Sequence, residues 1–435
     1  MTPLVIGLIV LAALLALLAI GTPIAFALGF VSIAALMIVE GTGTLSILGE
    51  TFFGGLASFG LVSIPMFILM GAAVASSPAG KDLYLALDRW LNRVPGGLVL
   101  SNLGACSIFA ALSGSSPATC AAIGKMGIPE MTQRGYPKEI AAGSIAAGGT
   151  LGILIPPSVT MIVYGIATET SIGRLFLAGI LPGFMLTMLF MAWSLYACGR
   201  RGIGLSSVTE RFTMAQRFEV LPKVLPFLAI IVGILWVLYG GVATPSEAAG
   251  VGAVFCIVLV MVIYRLWKAG PLWRVLRDTL KESVMIMMII GASELFSFTL
   301  SSLFITQSIA AWIGDLEVNR WVLMGVINLF LLFAGFFLPP VAVILMTAPI
   351  LLPIITQAGF DPYWFAVVLT INMEIGLITP PVGLNLYVIN GIAPDISLWQ
   401  VLRGSLPYVL CMVLGILLLC VFPEIATWLP GFMMG

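Results

Sequence analysis

Long apolar runs make up most of this chain, and few of them carry the polar face of a soluble helix. A helix needs about 20 mostly apolar residues to cross a bilayer, and ten runs come close to that length or exceed it. The pattern predicts an all-α integral membrane protein with about ten full spans. We expect the spans at about 4–20, 24–39, 55–76, 139–168, 175–197, 222–240, 247–264, 282–304, 364–392 and 404–422.

Two further apolar blocks, at about 95–130 and 320–356, are each interrupted near the middle. Ser, Gly and Pro break the first at 113–117, and Pro339-Pro340 break the second. Backbone groups freed inside a bilayer must find protein or water as partners, so such breaks occur next to protein or a cavity. Each block is therefore predicted to form a re-entrant hairpin that enters and leaves the membrane on one side.

Composition supports a membrane protein and excludes several chemistries. Charged residues are 9% of the 435 positions, against about 25% in a soluble domain, and the net charge of +0 gives no reason to expect a nucleic-acid partner. The lack of histidine removes His-based acid/base catalysis and most transition-metal sites. The six cysteines are scattered without a C-x-x-C pair and are interpreted as packing residues.

Basic residues cluster in four predicted loops, which orients the chain. With both hairpins re-entrant, all four loops fall on one face, which the positive-inside rule assigns to the cytoplasm. Both termini and the segments near Glu40 and Glu317 then lie outside. Segments 80–93 and 306–318 are amphipathic and predicted to lie along the membrane surface. The clustered residues are Lys81, Arg89, Arg93, Lys125, Arg134, Lys138, Arg200, Arg201, Arg211, Arg217, Lys223, Arg265, Lys268, Arg274, Arg277 and Lys281.

An ordered series of matches at an offset of about 224 residues indicates an internal repeat. It pairs Pro129 with Pro353, Gly152 with Gly376, and Pro156-Pro157 with Pro380-Pro381. We expect a first repeat at 1–215 and a second at 216–435. Each has an odd number of spans by this count, so the second copy inserts upside down. Inverted repeats with broken helices are typical of secondary transporters, whose sites lie near the midplane between the halves.

The predicted breaks could form one binding site for a cation and another for an anion. Proline pairs at the ends of 148–157 and 372–381 stop each helix and free backbone carbonyls. Carbonyls and nearby hydroxyls form an oxygen-only site suited to Na⁺, and half-helix N-termini suit a carboxylate. Glu294 and Glu374, inside predicted spans, are candidate functional acids. The predicted substrate region comprises Ser116, Thr150, Pro156, Pro339, Pro340, Asn372, Glu374, Pro380 and Asn385.

Four motifs together resemble the large membrane subunit of TRAP (tripartite ATP-independent periplasmic) transporters. They are Ser-Gly-Ser-Ser-Pro-Ala-Thr at 113–119, Gly-Thr-Leu-Gly-Ile-Leu-Ile-Pro-Pro-Ser at 149–158, Thr-Pro-Ser-Glu-Ala-Ala at 244–249 and Gly-Leu-Ile-Thr-Pro-Pro-Val-Gly-Leu-Asn-Leu at 376–386. The resemblance implies an elevator-type importer of organic acids in the bacterial inner membrane, coupled to Na⁺ and without another cofactor. It also implies two partners, a small four-helix membrane subunit and a periplasmic substrate-binding protein.

The resemblance also implies two sodium sites, each with many backbone ligands. Many relatives resemble Gly-x-Phe-x-Asp at the second hairpin tip, whereas this chain has Gly-Phe-Phe-Leu-Pro at 335–339, so ligation there must come from the backbone. The positions that match the first site in this chain are Ser113, Gly114, Ser115, Ser116, Gly152, Ile155 and Pro157. Those that match the second are Gly335, Phe337, Gly376, Thr379 and Val382.

Three other functions compete with this interpretation. A sodium/carboxylate symporter that needs no binding protein would transport in liposomes without a soluble partner. A channel would show flux without Na⁺ dependence. An intramembrane protease is disfavoured, because the chain lacks histidine and its aspartates all fall in predicted loops or near span ends. The sequence leaves open which carboxylate is carried, with a C4-dicarboxylate or a sugar acid as examples.

Overall fold

A computed structural model describes residues 2–92, 94–203, 212–315 and 319–434. Within these ranges the regular structure is helical, with no β-strand. The first half contains α1 (Pro3–Ala19), α2 (Ile24–Val39), α3 (Leu45–Leu56), α4 (Ser63–Ala75), α5 (Ala79–Leu91), α6 (Gly97–Ser113), α7 (Ser116–Gln133), α8 (Lys138–Thr150), α9 (Val159–Ala167) and α10 (Ile172–Arg200). The second contains α11 (Met214–Glu219), α12 (Leu221–Tyr239), α13 (Pro245–Tyr264), α14 (Ala269–Ser302), α15 (Ile305–Asp315), α16 (Arg320–Phe337), α17 (Pro340–Gln357), α18 (Pro362–Leu377), α19 (Leu384–Ile392), α20 (Leu398–Val421) and α21 (Glu424–Met434).

Seven of the described helices are long and apolar enough to cross a membrane, or eight if the bent pair α3–α4 forms one span. Helices α1 and α2 are apolar but only 17 and 16 residues long. The two predicted broken helices are divided into α8–α9 and α18–α19. The all-α membrane fold is confirmed, and both hairpins have two helical arms that meet at the predicted interruptions.

The structure corrects the sequence interpretation at three places. Helix α4 occupies most of the predicted span 55–76, and α3, which precedes it at an angle of 55°, was not predicted. Helix α14 begins at Ala269, so the basic residues at 274–281 lie on a helix rather than in a loop. Lys125 likewise lies on α7. These charged positions are exposed, so the helices continue through them without burying a charge.

Some predictions at the membrane surface are only partly described. The predicted surface helix 80–93 is found as α5, and 306–318 as α15, whereas Arg93 and residues 316–318 lie outside the described residues. Arg211 lies outside them as well. The C-terminal helix α21 was not expected, because the last apolar run ends before Pro423. It packs on α10, where Arg174 donates a hydrogen bond to the Met434 carbonyl.

The helices of the two halves follow one another in the same order, with α6–α10 matched by α16–α20. Packing across the halves is reciprocal, because α9 contacts α17 while α19 contacts α7. Tyr164, near the end of α9, donates to the Pro362 carbonyl at the start of α18 (3.1 Å). Lys138, at the start of α8, pairs with Asp395 beyond α19 (2.7 Å). That hydrogen bond lowers the pKa of Asp395.

Candidate functional site

The first hairpin tip is a compact group of oxygen atoms. Helix α6 ends at Ser113, Gly114 takes a left-handed conformation with φ +59°, and α7 begins at Ser116. The Ser113 and Thr119 hydroxyl oxygens lie 2.8 Å apart, and Thr119 also donates to the Ser115 carbonyl (2.9 Å). This turn needs a glycine, because a side chain at positive φ is strained.

The first broken helix packs directly on this tip. A Cβ added to Gly152 would lie 2.8 Å from the Ser115 carbonyl oxygen, and one added to Gly114 would lie 3.1 Å from the Pro157 carbonyl oxygen. The tip at 113–116 is therefore in contact with Gly152 and Pro157. The Ile155 side chain points elsewhere, toward Gly183 of α10, where an added Cβ would lie 2.9 Å from its Cγ1.

The second broken helix approaches the second hairpin in a similar way. A Cβ on Gly376 would collide with the Gly335 carbonyl oxygen. The Val382 amide donates to the Phe336 carbonyl (3.2 Å), and the Thr379 hydroxyl donates to the Ile375 carbonyl (2.7 Å). The Thr379 oxygen keeps lone pairs for a cation after that donation. Phe337 could contribute only its backbone carbonyl, because a phenyl ring has no oxygen atom, and its side chain is exposed.

A cavity of about 350 Å³ lies between the hairpin tips and a wall formed by α2, α4 and α14. The tip side includes 113–118 and 339–342, and the opposite wall includes Ile24, Ile68 and Glu282. This volume is within the range of small-molecule sites. The cavity therefore joins both hairpins in one candidate binding site.

Four helices begin on the hairpin side of this cavity, and a fifth, α2, begins at Ile24 on the opposite wall. Its lining includes the first residues of α7 and α17 in the hairpins and of α9 and α19 in the broken helices. The first N–H groups of a helix have no partner inside the helix, and its N-terminus carries a partial positive charge of about +0.5. The arrangement suits a carboxylate, although no Lys or Arg lies in the described lining.

The cavity contains part of the predicted substrate region. Ser116, Pro339 and Pro340 line it, whereas Thr150, Pro156, Asn372, Glu374, Pro380 and Asn385 are not in its described lining.

The polar residues of that region that lie outside the lining have local partners or are deeply buried. Asn385 donates to the Ser116 hydroxyl (2.7 Å) and the Ala146 carbonyl (3.1 Å), which joins α19 to the first hairpin and α8. Asn372 donates to Asn328 of the second hairpin. Glu374 is fully buried, and neither of its carboxylate oxygens has a hydrogen-bond partner among the described residues.

Two acidic residues of α14 lie on different surfaces of the helix. Glu294 is exposed and packs beside Gly55 of α3, away from the cavity lining. Glu282, which the sequence analysis did not select, lines the cavity. The sequence contained one indication of this: Glu282 is the first residue of the predicted span 282–304. It shares a helix face with Met285, Ile286 and Ile289.

Most of the chain matches one family of membrane transport proteins. Residues 11–425 match the family model described as "Tripartite ATP-independent periplasmic transporter, DctM component". The chain belongs to this family. The C4-dicarboxylate TRAP transporter large permease protein DctM of Pseudomonas aeruginosa is 38% identical over 86% of each chain. The sialic acid TRAP transporter large permease protein SiaM of Vibrio cholerae is 31% identical over 97% of each.

A solved structure has a similar fold at low sequence identity. The Alcanivorax borkumensis YdaH transporter superimposes with a TM-score of 0.63 over 91% of this chain and 90% of its own, at 17% identity. The relatives of this DctM-family chain are named as permeases, so the prediction of a transporter rather than an enzyme is confirmed.

Proposed function

We propose that this DctM-family chain carries out sodium-coupled uptake of an organic acid across the bacterial inner membrane. The observation that carries the proposal is the convergence of four helix N-termini on one cavity. Helix N-termini bind anions through free N–H groups and the helix dipole. Relatives named for C4-dicarboxylate and sialic acid support the substrate class, a carboxylate such as a C4-dicarboxylate or a sugar acid.

Sodium is the proposed coupling ion, held where each hairpin meets a broken helix. The first seat combines the oxygen atoms of 113–116 with backbone of Gly152, Ile155 and Pro157. The second combines the backbone of Gly335, Phe337, Gly376 and Val382 with the Thr379 hydroxyl. Both seats offer only oxygen donors, which suits a hard cation. Each lies beside the cavity, so cation binding would fix the tips that face the substrate.

An elevator movement is the proposed mechanism. We propose that the hairpins and broken helices hold the substrate and move, while α2, α4 and α14, which line the opposite wall of the cavity, stay fixed. Two contacts support an inverted repeat. Tyr164–Pro362 joins the end of the first broken helix to the start of the second, and Lys138–Asp395 joins the start of the first to the end of the second. These ends lie on the same side of the membrane in an inverted repeat and on opposite sides in a parallel one. In the predicted topology, Ile24, Ile68 and Glu282 belong to the cytoplasmic halves of their spans, which makes this conformation inward-facing.

Two partners complete the proposed transporter. A periplasmic binding protein would deliver the substrate, and a small four-helix membrane subunit would hold the scaffold in place while the hairpin domain moves. Exposed apolar side chains on α12 and α13, such as Trp236, Val251 and Phe255, provide surface for that subunit or for lipid.

Uptake in proteoliposomes tests the function. The chain and its small membrane subunit are reconstituted, and labelled succinate, sialic acid and gluconate are supplied with and without the periplasmic binding protein and an inward Na⁺ gradient. We expect uptake of one carboxylate class that requires both the gradient and the binding protein. Uptake without the soluble protein would favour the simpler symporter, and flux independent of Na⁺ would favour a channel.

A further inference from the structure

Glu282 is the single ionisable residue in the described lining of the cavity. It lies on α14, and Met285, Ile286 and Ile289 follow it at positions i+3, i+4 and i+7. Residues at these spacings share one helix face, and all four line the cavity. Glu282 is exposed, so its carboxylate can meet a solute that enters.

No basic side chain neutralises Glu282 in the described part of the chain. None of the ion pairs found there includes it. Lys281 is adjacent in sequence, but residues i and i+1 do not face each other on a helix. The neighbour one turn earlier on the same face is another acid, Asp278.

The cavity therefore has two poles of opposite sign. The hairpin and broken-helix side presents four helix N-termini, whereas the opposite wall presents one, that of α2, together with the carboxylate of Glu282. A full negative charge outweighs the partial charge of about +0.5 at one helix N-terminus. We propose that Glu282 selects carboxylates whose far end is an ammonium or hydroxyl group and rejects those that carry a second carboxylate. The inference rests on the proposed function and narrows its substrate class.

The selection follows from what a carboxylate can accept. An ionised carboxylate only accepts hydrogen bonds, so an ammonium or hydroxyl at the far end of the solute supplies the donor that it needs. A second carboxylate supplies no donor and adds like-charge repulsion, which suppresses the wrong partner. The ammonium group gains from charge as well as from hydrogen bonding, so it should be favoured over the hydroxyl.

Three probes of similar length test the proposal: β-alanine, 3-hydroxypropionate and succinate. The full chain is purified with its small membrane subunit in nanodiscs with 100 mM NaCl. A ligand that binds the folded state raises the unfolding temperature with concentration, and this dependence gives a dissociation constant for each probe. We expect the order β-alanine, 3-hydroxypropionate, succinate, with at least a tenfold difference between the first and last.

Matched variants assign the selection to Glu282. Glu282→Gln keeps the shape and removes the charge, so the β-alanine preference over succinate should shrink at least fivefold. Asp278→Asn removes the acid one turn away, outside the lining, and should leave the preference unchanged. Met285→Lys places a positive charge in the same wall and should reverse the preference; it also serves if Glu282→Gln does not fold.

The outcomes separate the two proposals. Sodium-dependent binding that favours succinate, or discrimination that persists in Glu282→Gln, would overturn the role of Glu282 and leave carboxylate transport standing. Equal effects of Glu282→Gln and Asp278→Asn would also overturn it, because a general surface charge would then explain the preference. If none of the three carboxylates binds in the presence of Na⁺ but gluconate or sialic acid does, the role of Glu282 is overturned and the proposed function stands. If gluconate and sialic acid also fail to bind, both proposals fail.

Discussion

Gly152 and Gly376 lie where the broken helices press against the two hairpins. A Cβ at either position would meet backbone atoms, those of Ser115 or those of Gly335. Backbone cannot move aside as the end of a flexible side chain can. Close-packed interiors tolerate even one added methylene poorly, so these glycines fix how near each hairpin comes to its broken helix.

Alanine at these glycines should separate the hairpins from the broken helices. We expect Gly152→Ala and Gly376→Ala to lower Na⁺-driven uptake at least tenfold and to cost ~1–3 kcal/mol of stability, the usual range for overpacking. Gly391→Ala is the control, because an added Cβ there meets nothing within 4 Å. Initial uptake rates and unfolding temperatures are the measurements. Parental uptake by Gly152→Ala would argue against a cation seat at this contact.

The Thr379 hydroxyl distinguishes the two proposed sodium sites. Its repeat mate is Ile155, which can offer only backbone. Thr379→Val keeps the shape and removes one oxygen, so we expect a Na⁺ requirement raised about 5–30-fold, equivalent to ~1–2 kcal/mol. Ile155→Val, which keeps the carbonyl, should change little. Uptake is measured against Na⁺ concentration, and superimposable curves for Thr379→Val and the parent would remove this hydroxyl from the site.

Among individual residues of the candidate site, the sequence indicated some and missed others for a physical reason. Gly152 and Gly376 stood out because each lies beside a proline pair at the same repeat offset. The sequence did not single out Glu282, because helical periodicity reveals which residues share a face but not which element lies opposite that face. The sodium and substrate roles stay predictions until binding is measured.

The hydrogen bonds of Asn385 connect elements that are far apart in the chain. Helix α19 belongs to the second half, yet Asn385 donates to Ser116 of the first hairpin and to the Ala146 carbonyl of α8. Asn385, Ser116 and Ala146 are all buried. Contact between α19 and α7 is thus supported by a polar link as well as by packing.

Removal of this link should loosen the two halves from each other. Asn385→Ala removes the donor from the buried Ser116 hydroxyl, which costs about 1–3 kcal/mol for an unsatisfied group, and it leaves the Ala146 carbonyl with the weaker Cys120 thiol (3.7 Å). Ser116→Ala should cost less, because Asn385 keeps the Ala146 carbonyl. The unfolding temperature of both variants is the measurement, and Asn390→Ala, whose bond to the Ile396 carbonyl stays within one half, is the control. A larger loss in Ser116→Ala than in Asn385→Ala would contradict the assignment.

Helices were predictable as elements, and their ends less so. Apolar runs and proline pairs placed α2, both hairpin tips and both breaks well. The start of α14 was missed because its first turns carry Arg274, Arg277 and Lys281, and charge was taken to mark a loop. A helix that extends beyond the bilayer can also carry exposed basic residues, so its sequence looks like that of a charged loop. The α3–α4 bend has no proline at its break and could not be located from the sequence alone.

On the scale of the whole molecule, orientation of the two halves is the property on which the proposed mechanism depends. The family and the helical membrane fold followed from motifs and hydropathy. The inverted arrangement rests on the repeat and on the distribution of basic residues, and it stays a prediction. Contacts between Lys138 and Asp395 and between Tyr164 and Pro362 support it.

Gln133 and Gln357 provide a direct test of that arrangement. They are the last residues of α7 and α17, lie 224 positions apart and are both exposed. In an inverted repeat, equivalent residues face opposite sides of the membrane; in a parallel repeat, they face the same side.

The test places a single cysteine at either position in a chain whose six native cysteines are replaced by alanine. Each variant is treated with a membrane-impermeant maleimide on intact cells and on inverted vesicles. We expect Gln133→Cys to label only in inverted vesicles and Gln357→Cys only in intact cells. Labelling of both from one side would exclude the inverted repeat, and with it the elevator scheme, because both hairpins would then enter from the same face.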